Sequence, residues 1–462
     1  MTSPQKNKRP SVLRELAKSK SGLVGVGLLI LIAGLAIYSI MGLPSSLPLS
    51  WNNGDAWVLN PINVPPVWFA ELQSNYAPTL NINLNSAWKL QAYSAGTYDI
   101  YVYSSSVNFT WNSNIYPQNV AFKASFEGQA ASASITWMKP QGGSIVVSIT
   151  QPNSNQIYEA QNSYFIAGAQ AYVTNQTGKY FATLTKPQVI STLFGRNGPN
   201  ILNSTVSEGK YSVLVQIVSN VPLKSLSGLL VVIGNAYGYM GTDYQGKPVD
   251  LGLLAGLPNA LEVGFLVAIV SVVVGIIFGG LSGYLGARKD GVMQWVTLVV
   301  LALPALPFLV VMSYTVRLNL IIEVLLIAAL TWPFYAIISR TVALSIKSQT
   351  FVEADKAMGI PSYRVFFSHF MPRLVPVTVA YTVLGIPGGI LLAETLAFLG
   401  IAPANIITWG RILNDAFTNQ AAVLGFWWWV VFPGLMIVLS AVPFVLIGFA
   451  LERVIAPRVA AK

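Results

Sequence analysis

Apolar residues run almost unbroken from position 22 to 43, and no comparable run returns until Leu257. Five more then follow, at about 259–284, 292–314, 320–339, 374–398 and 425–450. A bilayer core of about 30 Å takes roughly 20 apolar residues in a helix, so each run predicts one membrane crossing. The first run is too long for the core of a signal peptide, and no small-residue cleavage site follows it, so it is expected to stay as a span. Between the first two runs the pattern inverts. Residues 44–250 are rich in Asn, Ser, Thr, Tyr, Gln and Gly, with short β-branched and aromatic stretches at 98–105, 120–126, 133–138, 144–150, 165–173, 180–184 and 211–219. Turn clusters such as Gln141-Gly142-Gly143 and Gln151-Pro152-Asn153 separate them. Short strands at this spacing predict a β-sandwich-like domain. The expected class is an α-helical polytopic membrane protein with six spans and a β-rich domain inserted between spans 1 and 2.

Composition agrees. Of the 462 residues 53% are hydrophobic and only 10% charged, against roughly 25% charged in a soluble protein. A soluble enzyme, a disordered chain and a coiled coil are excluded. With no cysteine and one histidine, His369, disulfides, thiolate sites and histidine metal clusters are excluded too, so no metal site and no cofactor are expected in this chain.

The formal net charge is +10, and its placement gives an orientation. The N-terminal arm, 1–21, holds Lys6, Lys8, Arg9, Arg14, Lys18 and Lys20. With that arm and both termini in the cytosol, Arg288, Lys289, Arg340, Lys347, Lys356, Arg364, Arg373 and the tail residues Arg453, Arg458 and Lys462 also fall inside. The whole basic excess is then cytosolic, as the positive-inside rule requires, and it faces anionic lipid headgroups. Nucleic-acid binding needs a basic face interleaved with aromatics on a folded surface, and none is visible. The expected division is 1–21 arm, 22–43 first span, 44–250 external domain, 251–455 five-helix core and 456–462 tail, in a multi-pass protein of the cell membrane.

Sequons at Asn108, Asn175 and Asn203 all fall in the external segment, as glycosylation candidates. Trp51, Trp57, Trp68 and Phe69 suit either sugar stacking or packing in a loop-rich cap. Within the spans, Pro304, Pro307, Pro333, Pro387, Pro433 and Pro443 are expected to kink or break helices. Pro304, Trp332, Pro387 and Glu394 are the candidate pathway residues, with Glu262 and Glu394 read as wetted near the outer helix ends. Trp427-Trp428-Trp429 reads as an outer aromatic belt, and Arg317 as a solvated loop residue.

The most informative stretch is 350–372, between the fourth and fifth spans. Thr350 can N-cap a short helix and Glu353 completes a capping box. Gly359 suits the left-handed position that ends it, and Pro361 prevents continuation. A second short helix is expected from Ser362 to Met371. Phe351, Ala354, Asp355 and Met358 share one face of the first helix. On physical grounds two readings stay open: a knob for a groove in another protein, or an amphipathic helix resting on the membrane.

This loop resembles the "EAA" loop of bacterial and archaeal ABC importer permeases, with Glu353, Ala354, Gly359 and Pro372 at its positions. Asp355 replaces the pattern's second alanine, and His369 stands at its usual isoleucine position. Gly241-Thr242-Asp243-Tyr244-Gln245-Gly246, Ala393-Glu394-Thr395-Leu396-Ala397-Phe398-Leu399-Gly400, Trp409-Gly410 and Phe432-Pro433-Gly434 resemble, in order, segments of the dipeptide/oligopeptide/nickel branch and its C-type permease subunit. Lys247-Pro248, where that branch usually has Arg-Asp, and the insert 44–250 depart from it.

The resemblance implies a type I ABC importer permease fold and a coupling helix docked into a cytosolic ATPase, with Phe351, Glu353, Ala354, Asp355, Met358, Gly359 and Arg364 as the coupling residues. It implies a second homologous permease, two P-loop ATPase subunits that bind ATP and Mg, and an external solute-binding protein. Peptides are the implied solutes, with oligosaccharides carried by some archaeal members. No P-loop is present, because Gly178-Lys179, Gly209-Lys210 and Gly246-Lys247 lack the upstream glycine spacing and the following Ser/Thr. No nucleophile–base constellation is visible, so the chain is expected to be no enzyme itself. The rival from another class is a surface receptor whose β-domain binds ligand, but every cytosolic segment is short for an output domain.

Overall fold

The computed structural model describes residues 19–460 except 74–75, 86, 96–97, 317 and 404. Lys6, Lys8, Arg9, Arg14, Lys18, Arg317 and Lys462 therefore lie outside the described residues, as do the side chains of Lys356, Arg453 and Arg458. The chain divides into two compact units, Asn53–Asp250 and the flanking segments on either side of it.

In the unit Asn53–Asp250, two antiparallel sheets enclose one core. Short helices come first, α2 (Leu47–Trp51, which groups with the flanking unit) and α3 (Val67–Leu72). The strands are β1 (Leu80–Asn83), β2 (Lys89–Ala95), β3 (Tyr98–Trp111), β4 (Asn119–Glu127), β5 (Ser132–Met138), β6 (Ser144–Thr150), β7 (Ile157–Glu159), β8 (Gly209–Ser219) and β9 (Lys224–Ile233). One sheet has the order β1-β9-β4-β7 and the other β2-β3-β8-β5-β6. Alternation drives the packing. Ala133, Ile135 and Trp137 of β5, with Ile145, Val147 and Ile149 of β6, point inward. Phe109 and Tyr211 face each other across β3 and β8 and stack with centroids 5.3 Å apart.

Two stretches expected as strands are not strands. Residues 165–173 lie in helix α4 (Ser163–Thr177), and 180–184 have no regular structure. The helix is set by local chemistry. The Asn162 side chain accepts from the Tyr164 N–H (3.1 Å), and Gly178 ends it at φ 67°. Phe165, Gly168, Ala169, Tyr172 and Val173 are its buried positions, a helical and not a strand period. Helix α5 (Lys186–Phe194) follows and drives Phe194 among Trp111, Trp137 and Tyr211, at 5.1–5.4 Å.

Lys139 is buried in this unit. Its ammonium donates to the Thr192 carbonyl (3.0 Å) and lies 5.5 Å from the Tyr172 ring. Burial pushes its pKa from 10.5 down to about 8. The unfolded chain then holds a proton that the folded chain lacks between those two values. This group's share of stability is complete above the free-lysine value and is lost as the pH falls toward about 8. Lys139→Met is expected to abolish that rise. The difference in denaturant midpoint between pH 8 and pH 10, followed by proteolysis of the full chain, shrinks in the variant. An unchanged difference overturns this assignment.

The flanking unit is helical. Helix α1 (Lys20–Gly42) packs on α14 (Trp428–Ala460), where a Cβ on Gly25 would stand 2.9 Å from Ile447. Between them lie α6 (Val249–Leu285), α7 (Ala287–Ala302), α8 (Ala305–Thr315), α9 (Leu320–Lys347), α10 (Thr350–Ala357), α11 (Ser362–Val365), α12 (Met371–Phe398) and α13 (Trp409–Thr418). Among the described residues five helices are long and apolar enough to cross a membrane, or six if the bent pair α7–α8 is one span.

That pair is where expectation and structure part. The run 292–314 is bent by 81° at Leu303–Pro304. Proline removes an N–H and forces the residue before it out of the helical region, and Leu303 sits at ψ 128°. The other prolines of the apolar runs break nothing: Pro258, Pro307, Pro333, Pro376 and Pro387 lie inside continuous helices, as do Pro433 and Pro443. The aromatic belt is corrected as well, because Trp428 and Trp429 are buried in the unit. Trp51 likewise packs its ring against Gly252.

Candidate functional site

The segment from α9 to α12 forms a compact elbow. Helix α10 begins at Thr350 itself, so Thr350 is its first helical residue rather than its cap. Its end is built as the sequence requires. Gly359 takes φ +73°, and the Ile360 N–H donates back to the Asp355 carbonyl at 3.1 Å, the six-to-one bond of a Schellman turn. Pro361 then starts α11. The second short helix is not separate, however. Residues Phe366–Phe370 form a π turn that carries α11 straight into α12. The elbow's outgoing arm is thus the fifth long helix itself.

The elbow is anchored by its apolar face. Val352, Val365, Phe366, Phe370 and Leu374 are buried with Tyr284 of α6 and with Ala343 and Ile346 of α9. Tyr284 meets Phe370 edge-on, centroids 4.8 Å apart. At roughly 1.5–3 kcal/mol for each large apolar side chain buried, this cluster stiffens the corner.

The face expected to project does so only in part. Met358 is 68% exposed and Glu353, Ala354 and Arg364 are exposed. Phe351 and Asp355 turn inward instead. Phe351 is half-buried, with the Arg373 guanidinium 3.8 Å from its ring centroid and the His369 ring 5.9 Å away. Asp355 is buried, its Oδ2 3.2 Å from His369 Nδ1. The reason is the helical period. Val352 seeks the core, and that rotation carries Asp355, one turn on, inward with it. Sequence reasoning missed two exposed aromatics of the outgoing arm, Tyr363 (64%) and Phe367 (62%), which border Met358 and Arg364 along the chain. The signal was the same period, since Val365, Phe366 and Phe370 take the core side and leave Tyr363 and Phe367 outside.

A charged clasp ties three helices next to this corner. Arg340 of α9 grips Asp290 of α7 with two hydrogen bonds, 2.7 and 2.6 Å. Ser282 of α6 donates to the same carboxylate at 2.6 Å. Such fork-to-fork pairing fixes orientation as well as distance.

The candidate pathway residues are not gathered on one open surface. Pro304 is exposed at the bend, Trp332 is half-buried edge-on to Phe278, and Pro387 and Glu394 are buried. Glu394 is not wetted. Its carboxylate accepts from the Gly410 N–H (2.5 Å) at the first turn of α13, an anion on a helix N-terminus. Glu262 is exposed. In the β-rich unit, Asp243 holds its turn by accepting from the N–H groups of Gln245 and Lys247 at 2.8 and 2.9 Å. Thr242 donates to the Pro61 carbonyl (2.7 Å) and accepts from the Val64 N–H (3.3 Å), so this motif is a structural knot. The sequon asparagines Asn108, Asn175 and Asn203 are all exposed. Among the described residues no group of His, Cys, Asp or Glu could hold a metal ion.

Comparison with known proteins bears on the same helices. Residues 271–461 match the family described as the inner membrane component of binding-protein-dependent transport systems. The chain is similar to the probable D,D-dipeptide transport system permease protein DdpC of Escherichia coli, 29% identical over 229 residues, 49% of this chain and 76% of the relative. It is similar to the oligopeptide transport system permease protein OppC of Haemophilus influenzae, 29% over 223 residues, 48% and 71%. The dipeptide transport system permease protein DppC of Bacillus subtilis is 28% identical over 221 residues, 48% and 68%.

Proposed function

We infer, from the premise that the chain is a permease subunit of the peptide branch of binding-protein-dependent ABC importers, that its α9–α12 elbow is the part an ATPase moves. The observation that carries this reading is the buried anchorage of the elbow together with its exposed ridge. Met358, Tyr363 and Phe367 stand out from a corner whose other face is buried against α6 and α9. A stiff projection transmits a displacement of its tip to the helices behind it, whereas a floppy loop absorbs it. Glu353 and Arg364 supply the polar rim of that contact, and Gly359 the turn.

In this reading the bent pair α7–α8 counts as one crossing, giving six spans with both termini in the cytosol, as the basic arm and loops favour. The unit Asn53–Asp250 is then external, where it docks or gates a solute-binding protein and where Asn108, Asn175 and Asn203 are open to glycosylation. A second permease completes the pathway, and two ATPases hydrolyse ATP with Mg. The named relatives support peptides as the solute class. Oligosaccharides remain the alternative cargo to test by competition.

Purification through this chain is the direct test. A P-loop ATPase should co-elute, and Met358→Asp with Phe367→Asp should release it at least about tenfold more readily, the loss of two apolar anchors from one interface. Recovery of the intact chain with no ATPase sinks the reading. Deleting residues 53–238 is expected to weaken uptake while leaving ATPase recovery intact, and full uptake by that deletion removes the proposed role of the β-rich unit.

A further inference from the structure

Two of the places where the loop departs from the importer pattern meet in space. Asp355 stands at the second alanine position and His369 at the isoleucine position. The structure brings Asp355 Oδ2 to 3.2 Å from His369 Nδ1, across the elbow from α10 to the π turn that leads into α12. Asp355 is 5% exposed, its Oδ2 makes no hydrogen bond of good geometry, and among the described residues His369 Nδ1 is the one basic atom within 4.0 Å of it. The His369 ring also lies nearly parallel to Phe351, at 22° and 5.9 Å, and Arg373, one turn along the outgoing helix, sets its guanidinium 3.8 Å from the same Phe351 ring. Two residues of α10 are therefore each held by a residue of the outgoing arm.

We propose that Asp355 and His369 are a matched pair of positioning residues, which lock α10 to the start of α12 so that the elbow moves as one piece. The proposal rests on the coupling role inferred above. Its physical content is an asymmetry. Removing the histidine strands a buried carboxylate, which is costly. Removing the aspartate leaves a half-exposed imidazole, which water can serve. Removing both restores an apolar contact between the arms, which is neutral. Residues that act separately show no such rescue.

The experiment uses the full chain in its complex, with His369→Ile, Asp355→Ala and the double variant. Amide hydrogen exchange over residues 352–358 reads the lock itself. It should rise about tenfold in His369→Ile, about two- to threefold in Asp355→Ala, and return to within about twofold of native in the double variant. Solute taken up per ATP hydrolysed, measured in proteoliposomes, reads the positioning role and should follow the same order. Exchange unmoved by His369→Ile, or a double variant no better than that single one, overturns the pairing. Exchange that follows the expected order with an unchanged uptake-to-ATP ratio overturns the positioning role. A native preparation with no ATPase overturns the transporter reading and the coupling role with it, while the exchange result still judges the pair.

Discussion

Gly359→Pro is expected to abolish uptake, by at least about a hundredfold, in a complex that still recovers its ATPase. Gly359 sits at φ +73°, and proline is locked near −65°, so the turn cannot form with the substitution in place. The Ile360 bond to the Asp355 carbonyl is lost with it. Two milder variants separate conformation from crowding. A Cβ at Gly359 meets nothing within 4 Å, so any penalty is one of backbone angle alone. Gly359→Asn, which tolerates the left-handed region, should keep most activity, and Gly359→Ala should lose a few-fold, about 1 kcal/mol. Uptake into vesicles, normalised to ATPase recovered, decides the matter. Native uptake by the proline variant refutes the coupling role of the turn.

The second large effect is expected at Gly279. Helix α6 presents Gly275, Gly279 and Gly283, four residues apart, to the backbone of α9 around Trp332, Ala336 and Arg340. A Cβ on Gly275 would come within 2.9 Å of the Ala336 nitrogen, one on Gly283 within 2.9 Å of the Arg340 carbonyl, and one on Gly279 would overlap the Ala336 carbonyl. Small residues at this spacing let membrane helices approach closely, and the contact is made by backbone that cannot step aside. Gly279→Leu should therefore leave little folded protein, read as the monodisperse fraction in detergent. Gly291→Leu is the control, because nothing lies within 4 Å of its Cβ. Equal recovery of the two variants contradicts this packing.

What could be read in advance was what depends on neighbours in sequence. The turn at Gly359-Ile360-Pro361 is written in residues whose backbone limits are their own, and it formed as expected. The break at Leu303–Pro304 is equally local, yet Pro333 and Pro387 carry the same signal and lie in continuous helices. Their fate is decided by neighbouring helices, which the chain does not name. In the β-rich unit, strands β5, β6 and β8 alternate plainly, whereas β9 is a continuous apolar run after Gly228 that no alternation marks. The aromatic content of 165–173 suggested a strand, and the cap at Asn162 with the glycine at 178 outweighed it.

At the candidate site, the position of the elbow was legible but its rotation was not. Which of Phe351, Asp355 and Met358 faces outward depends on how Val352 finds the core around Tyr284 and Ile346, and Tyr284 is distant in the chain. Glu394 was open to misreading for the same reason. A carboxylate near the end of an apolar helix looks hydrated until α13 folds back and offers it the Gly410 amide.

The clasp of Asp290, Arg340 and Ser282 bears on how such a machine can open. Because it joins α6, α7 and α9 beside the glycine seam of α6 and α9, sliding one of those helices past another would have to break it. A lever that pushes on a plate swings it about its far margin. On the coupling role proposed above, the gap that admits cargo is expected at the rim of that plate, against a neighbouring surface, and not through its middle.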